Sequence, residues 1–161
     1  MKTTLALARA LDEEKDRIYI ELDQLVANLD QDHPLTLKNT QLKNLVDAAM
    51  TSLRVTNVAQ FVLHQADRSK KETDEFSGWC RVVHGVRLCE IIEQFAKKGA
   101  VERAKGLLYE EDEVPVELSK KERKAREERE NEVALELIKA YTTTFATLYR
   151  YKRDTGEREY A

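Results

Sequence analysis

The chain has 161 residues, of which 42% are hydrophobic and 35% are charged; this length fits one domain, and the charged fraction is above the usual quarter. Only five glycines and two prolines are present, which disfavours a turn-rich β-protein and favours long helices coated with charge. The formal net charge of −3 excludes a protein that is basic overall, yet residues 34–109 carry 12 basic and 8 acidic side chains, so this segment would present a locally positive field.

The amino-terminal sequence lacks the features of a secretory signal. Its first apolar run is interrupted by Arg9 and meets the acidic stretch DEEKD without a small-residue cleavage site. No run of 18 apolar residues occurs in the sequence, so it predicts no transmembrane segment. The chain contains two cysteines, and without an export signal we expect reduced thiols and a cytoplasmic location.

The first two predicted helical segments follow from hydrophobic periodicity. Residues 4–29 carry apolar residues at three- and four-residue steps, with Thr3 or Thr4 as the cap and DQDHP as the stop. A second helical pattern covers residues 36–68 and is expected to break at 54–57, where β-branched residues and Asn cluster. The polar stretch DRSKKETDEFSG then predicts a connector.

The stretch SGWCRVVHGVRLCEIIEQF contains both cysteines and the only tryptophan of the chain. We predict that it belongs to a third helix over residues 77–98, with Gly99 as its αL cap. On such a helix Arg81, His84 and Arg87 form a stripe at three-residue steps, available for phosphate contact. The residues expected to be buried on the opposite face are Trp79, Val82, Val83, Val86 and Cys89.

The same stretch raises the question of a metal site or a catalytic cysteine. Cys80 and His84 would share a helix face, but Cys89 would lie half a turn out of phase with Cys80. Zinc would need further ligands from His33, His64 or carboxylates, and a Cys–His nucleophile pair has no orienting third group nearby in the sequence. We therefore expect no metal, no cofactor and no catalytic residue here, and expect Cys89 to be a small buried hydrophobe.

The last third of the chain predicts a short helix at 100–109, an acidic loop EEDEVP and a long final helix. Ser119 and Glu122 form a capping-box pattern at the start of that helix. Its first turns, KKERKAREERENE, are polar on every side. They are either a solvated extension with ion pairs such as Glu122 with Arg126, or a basic arm that contacts phosphate. Apolar residues at four- and three-residue steps beyond them indicate a packed helix.

The predicted fold class is therefore all-α, a bundle of about five helices with a long C-terminal helix. We expect a single domain over residues 1–161, with possible sub-lobes at 1–68 and 76–153 and a flexible tail at 154–161.

One pattern is compatible with catalysis. Glu90-x-x-Glu93 and Glu110-x-x-Glu113 are separated by sixteen residues, and such carboxylate pairs on facing helices can hold Mg²⁺ against nucleotide phosphates. The spacing resembles that of all-α nucleotide pyrophosphohydrolases, whose pattern is Glu-x-x-Glu followed by Glu-x-x-Asp. Here position 113 is Glu, and Pro115 favours a loop for the second pair. We therefore expect that the chain is not an enzyme.

The helix WCRVVHGVRLCEIIEQFAKKG, the ending LYRYKR and the all-helical pattern together resemble the small helical subunit of CRISPR effector complexes. The likeness is to the type I-D kind, which corresponds to the helical C-terminal part of the large subunit. It implies a non-catalytic protein of antiviral defence that stacks in several copies. The implied partners are the guide RNA, the target and displaced DNA backbone, other copies of the chain, and the backbone and large subunits of the complex, with no membrane.

By local charge, a set of basic residues is expected to contact the nucleic-acid backbone without reading sequence. Tyr149 and Tyr151 are candidates for stacking on bases. The alternatives are that the charges are ordinary surface charges and the tyrosines close the core, or that the chain is a helical adaptor that binds only protein. Nucleic-acid binding predicts a basic surface unbroken by acids, and an adaptor predicts an exposed apolar groove. The basic residues are Arg81, Arg87, Lys97, Lys98, Arg150, Lys152 and Arg153.

Overall fold

The computed structural model describes residues 3–29, 33–68, 78–109 and 117–160. Within these ranges the protein is an all-α bundle with a long C-terminal helix, as the sequence predicts. The predicted connector after residue 68 and the acidic loop at 110–116 lie mostly outside the described residues. The helices are α1 (Thr4–Ala27), α2 (Asn39–Thr51), α3 (Val55–Arg68), α4 (Leu88–Gln94), α5 (Ala100–Leu108) and α6 (Lys120–Tyr160).

The long helix α6 is the centre of the bundle. Helix α1 runs parallel to it, since Glu21 and Tyr141 border the same surface depression and, further along the chain in both cases, Leu29 contacts Lys152. Helix α2 is antiparallel, since Asn39 lies beside Arg153 and the α2–α3 junction lies beside Asn131. The buried apolar residues of all the helices form one hydrophobic cluster, so the two predicted sub-lobes share a core.

Local hydrogen bonds explain where the first helices begin and end. Thr3 Oγ1 accepts from the Ala6 N–H at 3.3 Å and caps α1, as predicted. A break occurs as predicted but slightly earlier in the chain: α2 ends at Thr51 and α3 begins at Val55, so residues 52–54 form the break and residues 55–57 are helical. Asn131 stabilises this break from α6: its Nδ2 donates to the Leu53 carbonyl at 2.8 Å, and its Oδ1 accepts from the Val55 N–H at 3.2 Å.

The predicted helix over 77–98 is wrong in its first half. Gly78–Cys80 form a 3-10 turn, and β1 (Val82–Val83) pairs with β2 (Val86–Arg87) in an antiparallel hairpin. His84 and Gly85 have φ values of 51° and 80°, the left-handed pair that a two-residue hairpin turn requires. Trp79, Val83 and Cys89 are buried as predicted. Val82 and Val86 are exposed instead, because a hairpin does not keep the helical period.

Gly99 does not end a helix. Its φ of −59° is right-handed, so the predicted αL cap is wrong. Residues Phe95–Gly99 form one π-helical turn that joins α4 to α5, giving a continuous helical rod from residue 88 to 108.

Helix α6 starts where the sequence predicts. The Glu122 N–H donates to Ser119 Oγ at 3.2 Å, so Ser119 is the N-cap. The helix is 41 residues long and continues through residues 154–160, which the sequence assigns to a tail. Among the described residues, no helix combines the length and the apolar character needed to cross a membrane.

Candidate nucleic-acid interface

Arg81, which the sequence places on an exposed stripe, is buried. Only 3% of its surface is exposed, and its Nη1 donates to the carbonyl oxygens of His33 and Pro34, each at 3.3 Å. The residue lies between the 3-10 turn and β1 rather than on a helix. The expected stripe of Arg81, His84 and Arg87 is therefore wrong, because these residues lie on a turn and a hairpin.

Arg87 remains on the surface, at the end of β2. Its Nη2 lies 2.7 Å from Glu90 Oε1, and its Nε donates to the same oxygen at 2.9 Å. The hydrogen bond to Glu90 raises the pKa of the Arg87 guanidinium. An acid thus accompanies this cation, which reduces the positive field it offers to phosphate.

Lys152 and Arg153 hold the connection between α1 and α2. Lys152 Nζ donates to the carbonyl oxygens of Val26, Ala27 and Leu29 at 2.8, 3.1 and 2.7 Å. These carbonyls lie at or just beyond the end of α1, where the regular helical hydrogen bonds stop, and the Val26 oxygen also accepts from the Leu29 N–H at 3.1 Å. Arg153 Nη1 donates to the Leu37 carbonyl at 2.9 Å, and its Nη2 donates to the Asn39 side chain at 2.6 Å.

Tyr149 closes the core rather than stacking on bases, which are the two roles that the sequence leaves open for it. It is buried, its ring lies 5.6 Å from that of Phe145, and its hydroxyl accepts from the Leu37 N–H at 3.0 Å. Burial raises the pKa of Tyr149. Tyr151, in contrast, is 72% exposed and is free to stack on a ligand.

Four of the sequence-selected residues therefore act on one backbone segment. We call them the connection clasp, because each one hydrogen-bonds a backbone group between residues 26 and 37. Their polar atoms are directed at carbonyls or an N–H group of the fold, which gives these backbone groups hydrogen-bond partners within the chain. The connection clasp consists of Arg81, Tyr149, Lys152 and Arg153.

The remaining candidates are exposed but lie on separate elements. Lys97 and Lys98 are on the π-helical turn, and Arg150 is near the end of α6. Lys98 borders an open surface depression of about 400 Å³ that the carboxylates Glu21 and Glu102 also line. The positive charge of Lys98 is therefore balanced locally.

The first turn of α6 carries four cations that are not among the seven basic residues expected from the sequence to bind nucleic acid. Lys120, Lys121, Arg123 and Lys124 are all exposed, and none of them forms an ion pair with another described residue. At 100° per residue they cover an arc of about 160°, with Glu122 on the opposite side of the helix. We call these four residues the basic start of α6.

The predicted ion pair of Glu122 with Arg126 is wrong. Arg126 turns toward the body of the protein, where its Nε lies 3.6 Å from Glu130 Oε1. Its guanidinium also lies 3.8 Å from the centre of the Tyr109 ring. The polar first part of α6 therefore contacts the body of the protein through its second turn, while its first turn is exposed to solvent. The signal in the sequence was KK-x-RK at a helix N-terminus, where cations are electrostatically unfavourable.

The alternative sites for chemistry are not assembled in the part of the chain that the structure covers. No group of three or more His, Cys, Asp or Glu side chains there could hold a metal ion. Glu90 is paired with Arg87, and Glu93 is buried, while Glu110 and Glu113 lie outside the described residues. Cys89 is buried, as predicted, and burial raises its thiol pKa.

The fold and this surface define an all-α protein with an exposed basic helix start. The chain matches no protein-family model, and neither a curated protein nor a solved structure is significantly similar to it.

Proposed function

We propose that the protein is a non-catalytic subunit that binds the sugar–phosphate backbone of nucleic acid through the basic start of α6. The observation that carries this proposal is the placement of four exposed cations on one side of a helix, with no acid paired to them among the described residues. Neutralising phosphates with such side chains supplies most of the affinity in sequence-independent nucleic-acid binding.

The electrostatics of the helix end support a ligand with negative charge. The N-terminus of a helix carries a partial positive charge, so Lys120, Lys121, Arg123 and Lys124 repel it and one another. A phosphate backbone relieves this repulsion, and backbone N–H groups at the same helix end also attract anions. Glu127 and Glu128 occupy the next turn, so the basic surface is short and suits a few phosphates.

The resemblance of the sequence to the small helical subunit of CRISPR effector complexes suggests the assembly in which this binding would occur. We propose that the chain acts in the cytoplasm as a small subunit of a CRISPR RNA-guided effector complex. In that setting several copies, together with the backbone and large subunits, would steady the guide RNA–target duplex and the displaced DNA strand. The burial of Arg81 and the hydrogen bonds of Lys152 and Arg153 lead us to assign these three to the fold. Lys97, Lys98, Arg150 and the partly neutralised Arg87 keep a supporting role in the proposal.

Binding of a labelled single strand of about 40 nucleotides at low salt tests this function by fluorescence anisotropy. We expect that neutralising the basic start, by changing all four residues to Gln, weakens binding by at least about tenfold. The control variant removes the same charge at four other exposed positions and should weaken binding by less than about threefold. Equal losses in both variants, or no binding by the wild type, would refute the proposal. The control positions are Arg9, Lys43, Arg54 and Lys105.

A further inference from the structure

The outward side of α1 exposes three large apolar side chains, one at its start and two about two thirds of the way along it. Leu5, Tyr19 and Ile20 are 63%, 52% and 57% exposed, although α1 buries its opposite face with Ile18 and Leu22 against the core. Single exposed apolar residues are ordinary on a protein surface. Here, however, three large ones lie on the same outward side of one 24-residue helix.

Acidic side chains lie on the same side of α1, between Leu5 and Tyr19 and just beyond Ile20, and they have no cationic partner among the described residues. Four exposed acids lie on the outward side of α1, and none forms an ion pair with another described residue. Two other acids of the same helix are paired: the buried Glu14 contacts Arg17 and Arg103, and the exposed Glu21 contacts Arg103. Acids four residues apart on a helix surface, such as Asp12 and Asp16, repel each other. The four acids are Asp12, Glu13, Asp16 and Asp23.

We propose that this outward face of α1 docks a basic amphipathic helix of a protein partner. Helix-on-helix packing would cover Tyr19 and Ile20 with the apolar stripe of the partner. Lysine or arginine residues beside that stripe would meet the four acids and relieve their mutual repulsion. Charge complementarity therefore selects the partner, since an acidic or neutral helix would leave the acids unpaired or repelled.

Helix α1 is held firmly enough to act as a preformed surface. Arg103 of α5 binds it through Glu14 at 3.2 Å and through Glu21 at 2.7 Å. Lys152 of α6 holds its carboxyl end through three carbonyl oxygens. A rigid helix loses little conformational freedom on binding, so the docking needs no rearrangement of this chain. The docking is independent of nucleic-acid binding, because it uses a different helix of opposite charge.

A designed peptide of about 21 residues, with leucine on one helix face and lysine on the others, is the direct probe. We expect saturable binding to the full chain by anisotropy, weaker at high salt, and no binding of the same peptide with glutamate for lysine. Tyr19→Ala with Ile20→Ala should weaken binding by at least about tenfold. Asp12→Asn with Asp16→Asn and Asp23→Asn should weaken it at least about fivefold, without touching the apolar contact.

Met50→Ala with Leu53→Ala is the matched control, because both residues are exposed on another part of the surface. It should change peptide affinity by less than about twofold. The proposal is overturned if the lysine peptide does not bind, or if neither α1 variant weakens it. Analytical sedimentation of the protein without peptide tests whether a second copy occupies this face instead. Self-association of the wild type that is lost in the Tyr19→Ala/Ile20→Ala variant would show that it does, and would refute a separate basic partner.

Discussion

Lys152 caps the end of α1 from a different helix: its Nζ lies 2.7 Å from the carbonyl oxygen of Leu29. The same ammonium reaches the carbonyls of Val26 and Ala27. A side chain that local charge assigns to nucleic acid thus satisfies the backbone of its own chain.

Lys152→Met should lower the free energy of unfolding by about 2 kcal/mol, because it leaves these carbonyls without a charged donor. Urea denaturation followed by circular dichroism measures the change. Arg150→Met is the control, since Arg150 is exposed on the same helix, and it should stay within about 0.5 kcal/mol of the wild type. Equal stability of both variants would show that the cap does not contribute.

Tyr149→Phe should destabilise the fold by roughly 1–3 kcal/mol, because it leaves the buried Leu37 N–H without its acceptor. The same substitution at Tyr151, which is exposed, should change the free energy of unfolding by less than about 0.5 kcal/mol. The pair differs only in burial and in one hydrogen bond. A neutral Tyr149→Phe would mean that another group satisfies the Leu37 N–H.

Alkaline pH should destabilise the protein through Tyr141. Burial raises the pKa of this residue above its ordinary value of 10.0, so the folded state keeps the phenol proton more tightly than the unfolded chain. The contribution is fully present below pH 10.0 and is lost as the pH rises toward the folded pKa. Between about pH 10 and pH 11.5, wild-type stability should fall more steeply than that of Tyr141→Phe. Tyr19→Phe is the exposed control, and a decline in Tyr141→Phe as steep as in wild type would contradict the prediction.

Two Gly→Ala substitutions should have opposite signs. Gly85 has a φ of 80° in the hairpin turn, so Gly85→Ala should lower the unfolding free energy by about 1–2 kcal/mol. Gly106 lies within α5 with no atom within 4 Å of a built Cβ, so Gly106→Ala should raise it by about 0.5–1 kcal/mol. Melting curves of the two variants measure both shifts, and a shift of the same sign would contradict the hairpin assignment.

Helical periodicity in the sequence predicts the long helices, because the residues that these helices bury recur with a 3.6-residue period. Ile18, Leu22 and Val26 are buried in α1 at four-residue steps, and Ser119 marks the start of α6 by a local hydrogen bond. The hairpin was missed because its strands have two residues each, too short for a period-2 signal. The dipeptide His84–Gly85 between valine-containing pairs is the signal that favours a two-residue turn.

The roles of the basic residues were harder to predict, for a physical reason. A cation that holds the fold and a cation that binds phosphate have the same sequence signature, because the backbone carbonyl that a cation contacts has no signature of its own. The carbonyl that Arg153 contacts at Leu37 is 116 positions away in the chain, so only tertiary packing identifies it. The sequence of the basic start of α6 is compatible both with a solvated extension and with a phosphate-binding arm, and the absence of ion pairs to other described residues favours the second.

The salt dependence of single-strand binding tests the central claim most directly. Each phosphate contact contributes a slope of about −0.7 to the logarithm of the binding constant against the logarithm of salt concentration. Four contacts from the basic start of α6 therefore contribute roughly −3 to the wild-type slope, and the variant with Gln at all four positions should have a slope smaller in magnitude by roughly that amount. A quadruple variant that keeps the wild-type slope would contradict the account, because the phosphates would then be bound by other residues.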